Sequence, residues 1–343
     1  MIHIQTIAST AIFIIVISGG ALAKERPPII DMHMHSSTPD DFGGPQTVCA
    51  NNGPVEFPPI DPREEATVQK ASTCAEPVMS ANSLEDNIRR TAEMMKRYNM
   101  YGVVDSEGDD LESSLAWQDA WIAAAPGRYI PAIDPSDVAR LNFGKLKSAI
   151  RDGRIRVFAE ISPQYDGELL TSERLDEYFS LAEELDVPVG VHLGEGPPGG
   201  ASVMPGSRYQ VRMGSPLDLE PLLIKYPKLR IYVMHYGSPM TDEMIAILYS
   251  YPRVYVDVAQ NDWGFPRVHF YAQLKRLVDA GFSKRILFGS DQMIWPDTIP
   301  IAIDAIEKAP FLTKAQKRDI FYNNAARFLR LSDDEIARHH GAE

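Results

Sequence analysis

Ile29-Ile30-Asp31-Met32-His33-Met34-His35 is the first run after the N-terminal segment that reads as folded structure. Its apolar residues predict a short strand, and residues two apart on a strand point to the same side. His33 and His35 are therefore expected to face one way, with Asp31 on that side one step deeper. Seven more short runs rich in β-branched residues follow, at 102–105, 129–133, 157–161, 189–193, 231–235, 254–258 and 286–289. They are almost wholly apolar, as parallel strands covered on both faces should be. Amphipathic stretches separate them, at 83–99, 114–125, 145–152, 172–185, 216–226, 242–249, 268–280 and 301–308, and a last helix is expected over 314–331. Alternating strands and helices imply parallel strands joined by right-handed crossovers. Eight such units predict an α/β chain closed as a (β/α)8 TIM barrel.

One connection is abnormal. Residues 36–82, between the first strand and its helix, are rich in Pro, Gly, Asn and Asp, and an insertion of this length reads as a lid or binding loop. It holds both cysteines, Cys49 and Cys74, which are expected to form a disulfide in an oxidising compartment and to be free thiols otherwise. The 343 residues are 44% hydrophobic and 24% charged, enough apolar material to offset the ordering entropy of a folded chain. A net charge of −13 argues against nucleic acid or anionic membrane as partner and leaves a small-molecule substrate. Self-association as a homodimer is left open.

Residues 1–23 carry no Asp, Glu, Lys or Arg, and an apolar run over 7–17 is followed by Gly19-Gly20 and Ala21-Leu22-Ala23. This predicts a signal peptide cleaved after Ala23, a mature single domain over 24–343, and a periplasmic or secreted protein with no stable membrane insertion. The alternative is an uncleaved N-terminal membrane anchor.

Histidines end three predicted strands: His33 and His35 the first, His192 the fifth and His235 the sixth. A barrel places its active site at that end of the strands. Asp291, in Gly289-Ser290-Asp291 after the eighth strand, is expected to point into the same mouth as a metal ligand and proton acceptor. Glu160 lies within an otherwise apolar fourth strand, where a carboxylate is costly unless metal-bound or paired with Arg154 or Arg156. Asp105 and Asp257 read as residues that orient ligands or cap helices, and His269 as a surface residue. The glycine-rich loop 194–200 reads as a lip; beyond it Arg208 or Arg212 reads either as a clamp for a substrate carboxylate or as a solvated surface arginine, and Trp295 either as a wall of the pocket or as core packing.

Taken together, His-x-His, the fourth-strand Glu, the fifth- and sixth-strand His and the eighth-strand Asp resemble the amidohydrolase superfamily. The phrases Val191-His192-Leu193-Gly194, Tyr232-Val233-Met234-His235-Tyr236-Gly237, Leu287-Phe288-Gly289-Ser290-Asp291 and Tyr322-Asn323-Asn324-Ala325-Ala326-Arg327 resemble its amidohydrolase-related branch. That branch includes aminocarboxymuconate-semialdehyde decarboxylase and dicarboxylate lactonases. The resemblance implies that His33, His35 and Asp291 bind a divalent ion, zinc in the first place and Mn²⁺ or Fe²⁺ as alternatives. In the single-metal pattern His192 is a fourth ligand and His235 the catalytic acid or base. In the two-metal pattern His192 and His235 take a second ion and Glu160 bridges. The implied activity is hydrolysis of a C–N or C–O bond, in an amide, lactone or ester, by metal-activated water. The alternatives are non-oxidative decarboxylation of an unsaturated or aromatic acid, and a catalytically inactive barrel that only binds a ligand.

The signal reading predicts that the exported chain begins at Lys24; an N-terminal sequence starting before that residue would reject it.

Overall fold

The structure is a computed structural model and describes residues 26–204 and 208–341; the signal peptide expected at 1–23 lies outside the described residues. Eight parallel strands form one sheet in chain order: β1 Ile29–Met34, β2 Met100–Val104, β3 Tyr129–Ile133, β4 Val157–Ile161, β5 Val189–His192, β6 Ile231–Met234, β7 Val254–Asp257 and β8 Ile286–Leu287. Two backbone bonds join the first strand to the segment that begins with the last. Met32 N–H donates to Phe288 C=O (2.8 Å), and Asp291 N–H donates to His33 C=O (2.7 Å). The predicted TIM barrel is thereby closed, and its strands and helices fall within a few residues of their expected positions.

Alternate residues divide the apolar core. Ile30, Met32, Val103, Ala132, Val157, Ala159, Tyr232 and Met234 fill the interior, and Tyr322 and Phe328 of the last helices close it from below. Residues such as Val104, Phe158, Ile161 and Val233 pack outward against the helices. The alternation slips in two places. On β1, Met32 is an interior residue but Met34 belongs to the outer layer, and the pairing register shifts between Asp31 and Met34. On β4, Phe158 and Ile161 are both outer residues, and the register shifts between them. Irregularities of this kind re-aim side chains at strand ends. His33 and Glu160 lie inside these two stretches, and both reach the mouth of the barrel.

The first helix, Leu84–Arg97, starts where Ser83 accepts the Asp86 N–H (3.2 Å). The expected helix over 216–226 begins instead as a 3-10 turn, Pro216–Leu219, before Glu220–Lys225. The final helix is also not continuous. A wide π turn, Asp319–Asn323, separates Lys314–Arg318 from Asn324–Leu329, and Phe288 N–H donates to the Ile320 carbonyl within it (3.0 Å). A further helix, Asp333–His339, was not expected from sequence; reciprocal Ser332–Glu335 capping starts it, and Arg156 holds Glu335 at 2.9 Å.

The insertion has order of its own. Thr47–Val48 pairs with Val78–Met79, and Val55–Glu56 pairs with Thr73–Cys74, both antiparallel. Cys49 and Cys74 form a disulfide. The segment is bonded to the loops after β7 and β8: Asn51 donates to the Asp262 and Phe265 carbonyls (2.8 and 2.9 Å), and the Trp295 indole donates to Gln46 C=O (3.1 Å). Closing a loop over a separation of 25 residues restricts the unfolded chain by an amount worth about 3 kcal/mol. Reduction with dithiothreitol should therefore speed limited proteolysis between Cys49 and Cys74 while the barrel stays intact. An unchanged digestion pattern after reduction would show that the disulfide does not hold this segment.

Candidate metal centre

His33 Nε2 and His35 Nε2 stand 3.2 Å apart at the mouth of the barrel. Their other ring nitrogens are engaged: His33 Nδ1 meets Asp257 Oδ2 at 3.1 Å, and His35 Nδ1 meets Asp105 Oδ2 at 2.5 Å. A ring nitrogen facing a carboxylate carries the hydrogen, so in the neutral rings both Nε2 atoms present lone pairs to each other. Two such lone pairs repel unless a cation or a proton lies between them. Carboxylates complete the group. Asp291 Oδ1 is 3.1 Å from His35 Nε2 and 3.9 Å from His33 Nε2, and Glu160 Oε2 is 3.3 and 3.4 Å from the same atoms. Donors bound at about 2.0–2.1 Å around a tetrahedral ion stand about 3.3–3.4 Å from one another. Four of these five spacings, 3.1–3.4 Å, lie near that edge length, and the His33–Asp291 spacing of 3.9 Å is longer. Asp291 Oδ1 is buried without a hydrogen-bond partner among the described residues, as a cation ligand would be; so is Glu160 Oε1, which faces His235.

The other two histidines face Glu160 from the far side. His235 Nε2 lies 3.5 Å from Glu160 Oε1, and its Nδ1–H donates to Ala259 C=O (3.0 Å). His192 is further out, with Nε2 3.9 Å from Glu160 Oε1 and 2.9 Å from the Tyr165 hydroxyl. His33, His35 and Asp291 form one metal-capable group among the described residues, and His33, Glu160 and His235 another; His192 belongs to neither. Arg154 and Arg156, the alternative partners of Glu160, pair instead with Asp119 and Glu335.

Backbone contacts fix these positions. Asp257 Oδ1 accepts the N–H groups of His235 and Ala259 (2.8 and 3.1 Å), so one carboxylate orients two histidines. Asp31 does not join the mouth; its Oδ1 takes the N–H of His33 and of Ser290 (3.0 and 2.9 Å). A Cβ on Gly289 would lie 2.9 Å from the Cβ atoms of both His33 and Ala259, so only glycine lets the eighth segment pass this close. Gln292 was not singled out in the sequence, though it adjoins Asp291. It clamps His35, accepting its N–H (3.2 Å) and donating to its C=O (2.6 Å).

Burial works against charge on the imidazole of His33, yet the Glu160, Asp291 and Asp257 carboxylates hold its pKa well above the ordinary value. Burial opposes the His35 charge too, and Asp105 overcomes it. Burial alone would raise the Asp291 carboxyl, but His33 and His35 hold it at about 2. His192, by contrast, is pushed down to about 3 by burial and stays neutral.

The structure does not bring Arg208, Arg212 or Trp295 to this cluster. Both arginines are exposed, and Arg212 donates to Gln210 (2.8 Å). Trp295 is 2% exposed and packs edge-on against Phe42 of the insertion. A residue's position after a strand does not distinguish a side chain that lines the mouth from one that anchors a neighbouring loop. His269 is exposed on the helix Arg267–Asp279, as expected.

A closed parallel barrel with imidazole and carboxylate donors at its C-terminal mouth is the architecture of a metal-dependent enzyme. Residues 30–331 match the family model described as amidohydrolase, and the chain belongs to that family. Among curated proteins none matches by sequence. Several solved structures share the fold. An uncharacterised TIM-barrel protein from Bordetella bronchiseptica is 17% identical, with a TM-score of 0.55 over 77% of this chain and 87% of that one. A probable 2-pyrone-4,6-dicarboxylic acid hydrolase from Acinetobacter baumannii is 15% identical, with a TM-score of 0.52 over 88% and 99%. A dihydroxybenzoic acid decarboxylase from Polaromonas sp. JS666, solved with manganese and an inhibitor, is 15% identical, with a TM-score of 0.52 over 72% and 87%.

Protons and a metal compete for the same Nε2 lone pairs. Because the metal-free His33 and His35 hold their protons above the usual range, metal binding must release them, and affinity should fall as the solution is acidified. Competition with a chromophoric chelator between about pH 8 and about pH 6 measures this. Affinity independent of pH would show that these imidazoles are not the ligands.

Proposed function

We propose that the protein is an exported hydrolase that uses one divalent ion, zinc in the first instance, to open a C–N or C–O bond of an amide, lactone or ester. The observation that carries this reading is the buried group of His33, His35 and Asp291 at the mouth of the barrel, whose donor atoms lie 3.1–3.9 Å apart, with Glu160 Oε2 3.3 and 3.4 Å from the two imidazoles. A bound ion would supply Lewis acidity for the scissile carbonyl and would acidify the attacking water. Asp291 would accept that water's proton and pass it to the leaving nitrogen or oxygen. His235 has its Nδ1–H committed to Ala259, so only its Nε2 is left to act in the mouth; as imidazolium it donates there to the developing oxyanion. Burial disfavours its charge, but Glu160 more than compensates and raises its pKa.

One ion is better supported than two, because His192 Nε2 is engaged by Tyr165. A second ion shared by His192, His235 and Glu160 is the runner-up. Hydrolysis is placed ahead of decarboxylation because the two arginines that could hold a substrate carboxylate, Arg208 and Arg212, are exposed. Export is supported by the N-terminal pattern and by the disulfide.

Elemental analysis of the purified protein should find one equivalent of metal, and two would replace the single-ion reading. Asp291→Asn should lower turnover of a responsive amide or lactone by about a hundredfold or more while circular dichroism stays unchanged. Full activity in that variant would remove Asp291 from the chemistry.

A further inference from the structure

A cavity of about 510 Å³ opens beside the histidine cluster. Three segments enclose it: the insertion, the loop after β5 and the loop after β7. The β5 loop brings Glu195, three residues beyond His192, and the β7 loop brings Gln260, next to the Ala259 carbonyl that holds His235. The cavity therefore shares its inner wall with the elements that position the site. Its size is that of pockets that bury small organic ligands.

Its lining is apolar with one charged group. Phe57 and Ile60 come from the insertion, Pro197 and Val211 from the β5 loop, and Phe265 from the β7 loop; Phe57 and Phe265 meet edge-on at 6.3 Å. Among the described residues that line it there is no Lys, Arg or His, and Glu195 is the one acid. Among the described residues neither Glu195 carboxylate oxygen, both of them enclosed, has a hydrogen-bond partner of good geometry, although the Ser238 hydroxyl and the Glu195 N–H lie close enough to steady its charge. The Ser238 hydroxyl beside it donates to Gln273 (2.9 Å), and the Glu195 backbone N–H is tied to the Ser238 carbonyl (2.9 Å). Tyr209 directs its hydroxyl oxygen at Gly196 N–H (2.6 Å) and stacks on Tyr165, which contacts His192. Burial pushes the Glu195 carboxyl up from its usual range. An acid buried in an apolar wall is costly unless a ligand supplies a hydrogen-bond donor. No Lys, Arg or His among the described lining residues would pair with a carboxylate placed here; His235 and His269 act on Glu195 only through space.

We propose that this cavity is the specificity pocket of the enzyme, and that it takes an apolar amine whose nitrogen is held by Glu195. The inference rests on reading the adjacent cluster as the hydrolytic centre, and it names the part of the substrate that lies beside that centre. Aromatic and aliphatic walls receive the body of the group, and the N–H bonds go to Glu195 as charge-assisted pairs.

The test uses the full metal-loaded protein and a pair of probes of similar shape and opposite charge, 2-phenylethylamine and 3-phenylpropionate, titrated calorimetrically. The amine should bind and the acid should bind much more weakly or not at all. Glu195→Gln, which keeps the shape, should weaken amine binding about tenfold or more. Metal content is measured on the same samples. Equal affinity for both probes, or an amine affinity untouched by Glu195→Gln, would overturn the pocket assignment whatever the metal content. A protein that takes up no metal yet binds the amine through Glu195 would leave the pocket standing and remove the hydrolytic reading instead.

Discussion

Two imidazole lone pairs pointed at each other across 3.2 Å are the constraint on which this molecule is organised. Neither ring can turn away, because Asp257 and Asp105 hold the opposite nitrogens. Two more carboxylates press in from β4 and from the segment after β8. Such a group is tolerable inside a protein only if positive charge sits at its centre. In the metal-free chain protons supply it, which is why Glu160 and Asp291, two of the carboxylates that raise His33, are themselves held low.

The barrel divides the labour by strand. β1 supplies the imidazoles, β2 and β7 the carboxylates that orient them, and β4 and the eighth segment the anionic donors. Sequence neighbours therefore hold different duties. Asp257 orients two histidines from strands that never adjoin in the chain, and Gln292 grips the backbone of a residue that also binds its neighbour Asp291. The insertion packs onto the loops after β7 and β8, so the space left beside the cluster opens towards the β5 loop.

Much of this was legible in the residues. The eight apolar runs give the barrel because parallel strands buried on both faces leave a plain signature. The cluster members stand at strand ends, where a barrel gathers them. Other features depend on information that a strand pattern does not carry. Simple alternation cannot place both Met32 inside and Met34 outside; the register slip that turns His33 is a property of the pairing, not of the residues. The order within 36–82 was hidden because paired runs of two residues have no periodicity. Helix Asp333–His339 has one strongly apolar residue, Ile336, and forms because Glu335 is both a cap partner and an anchor for Arg156. For Arg208 and Arg212 the sequence left a clamp and a surface residue open, because charge identifies a possible clamp but says nothing of where a loop turns it; both side chains are exposed.

The eighth strand offers a ladder of only two residues, Ile286–Leu287. The seam between first and last strands is thus thinly stitched, and one of its stitches joins His33 to Asp291 directly through the backbone. These two residues are also the donors on either bank of that seam. An ion held between them would add a further link across that seam, so stability would grow with the free concentration of the ion. Scarcity of the ion would then shorten the lifetime of the protein as well as lower its turnover, although backbone bonds still close the barrel without it.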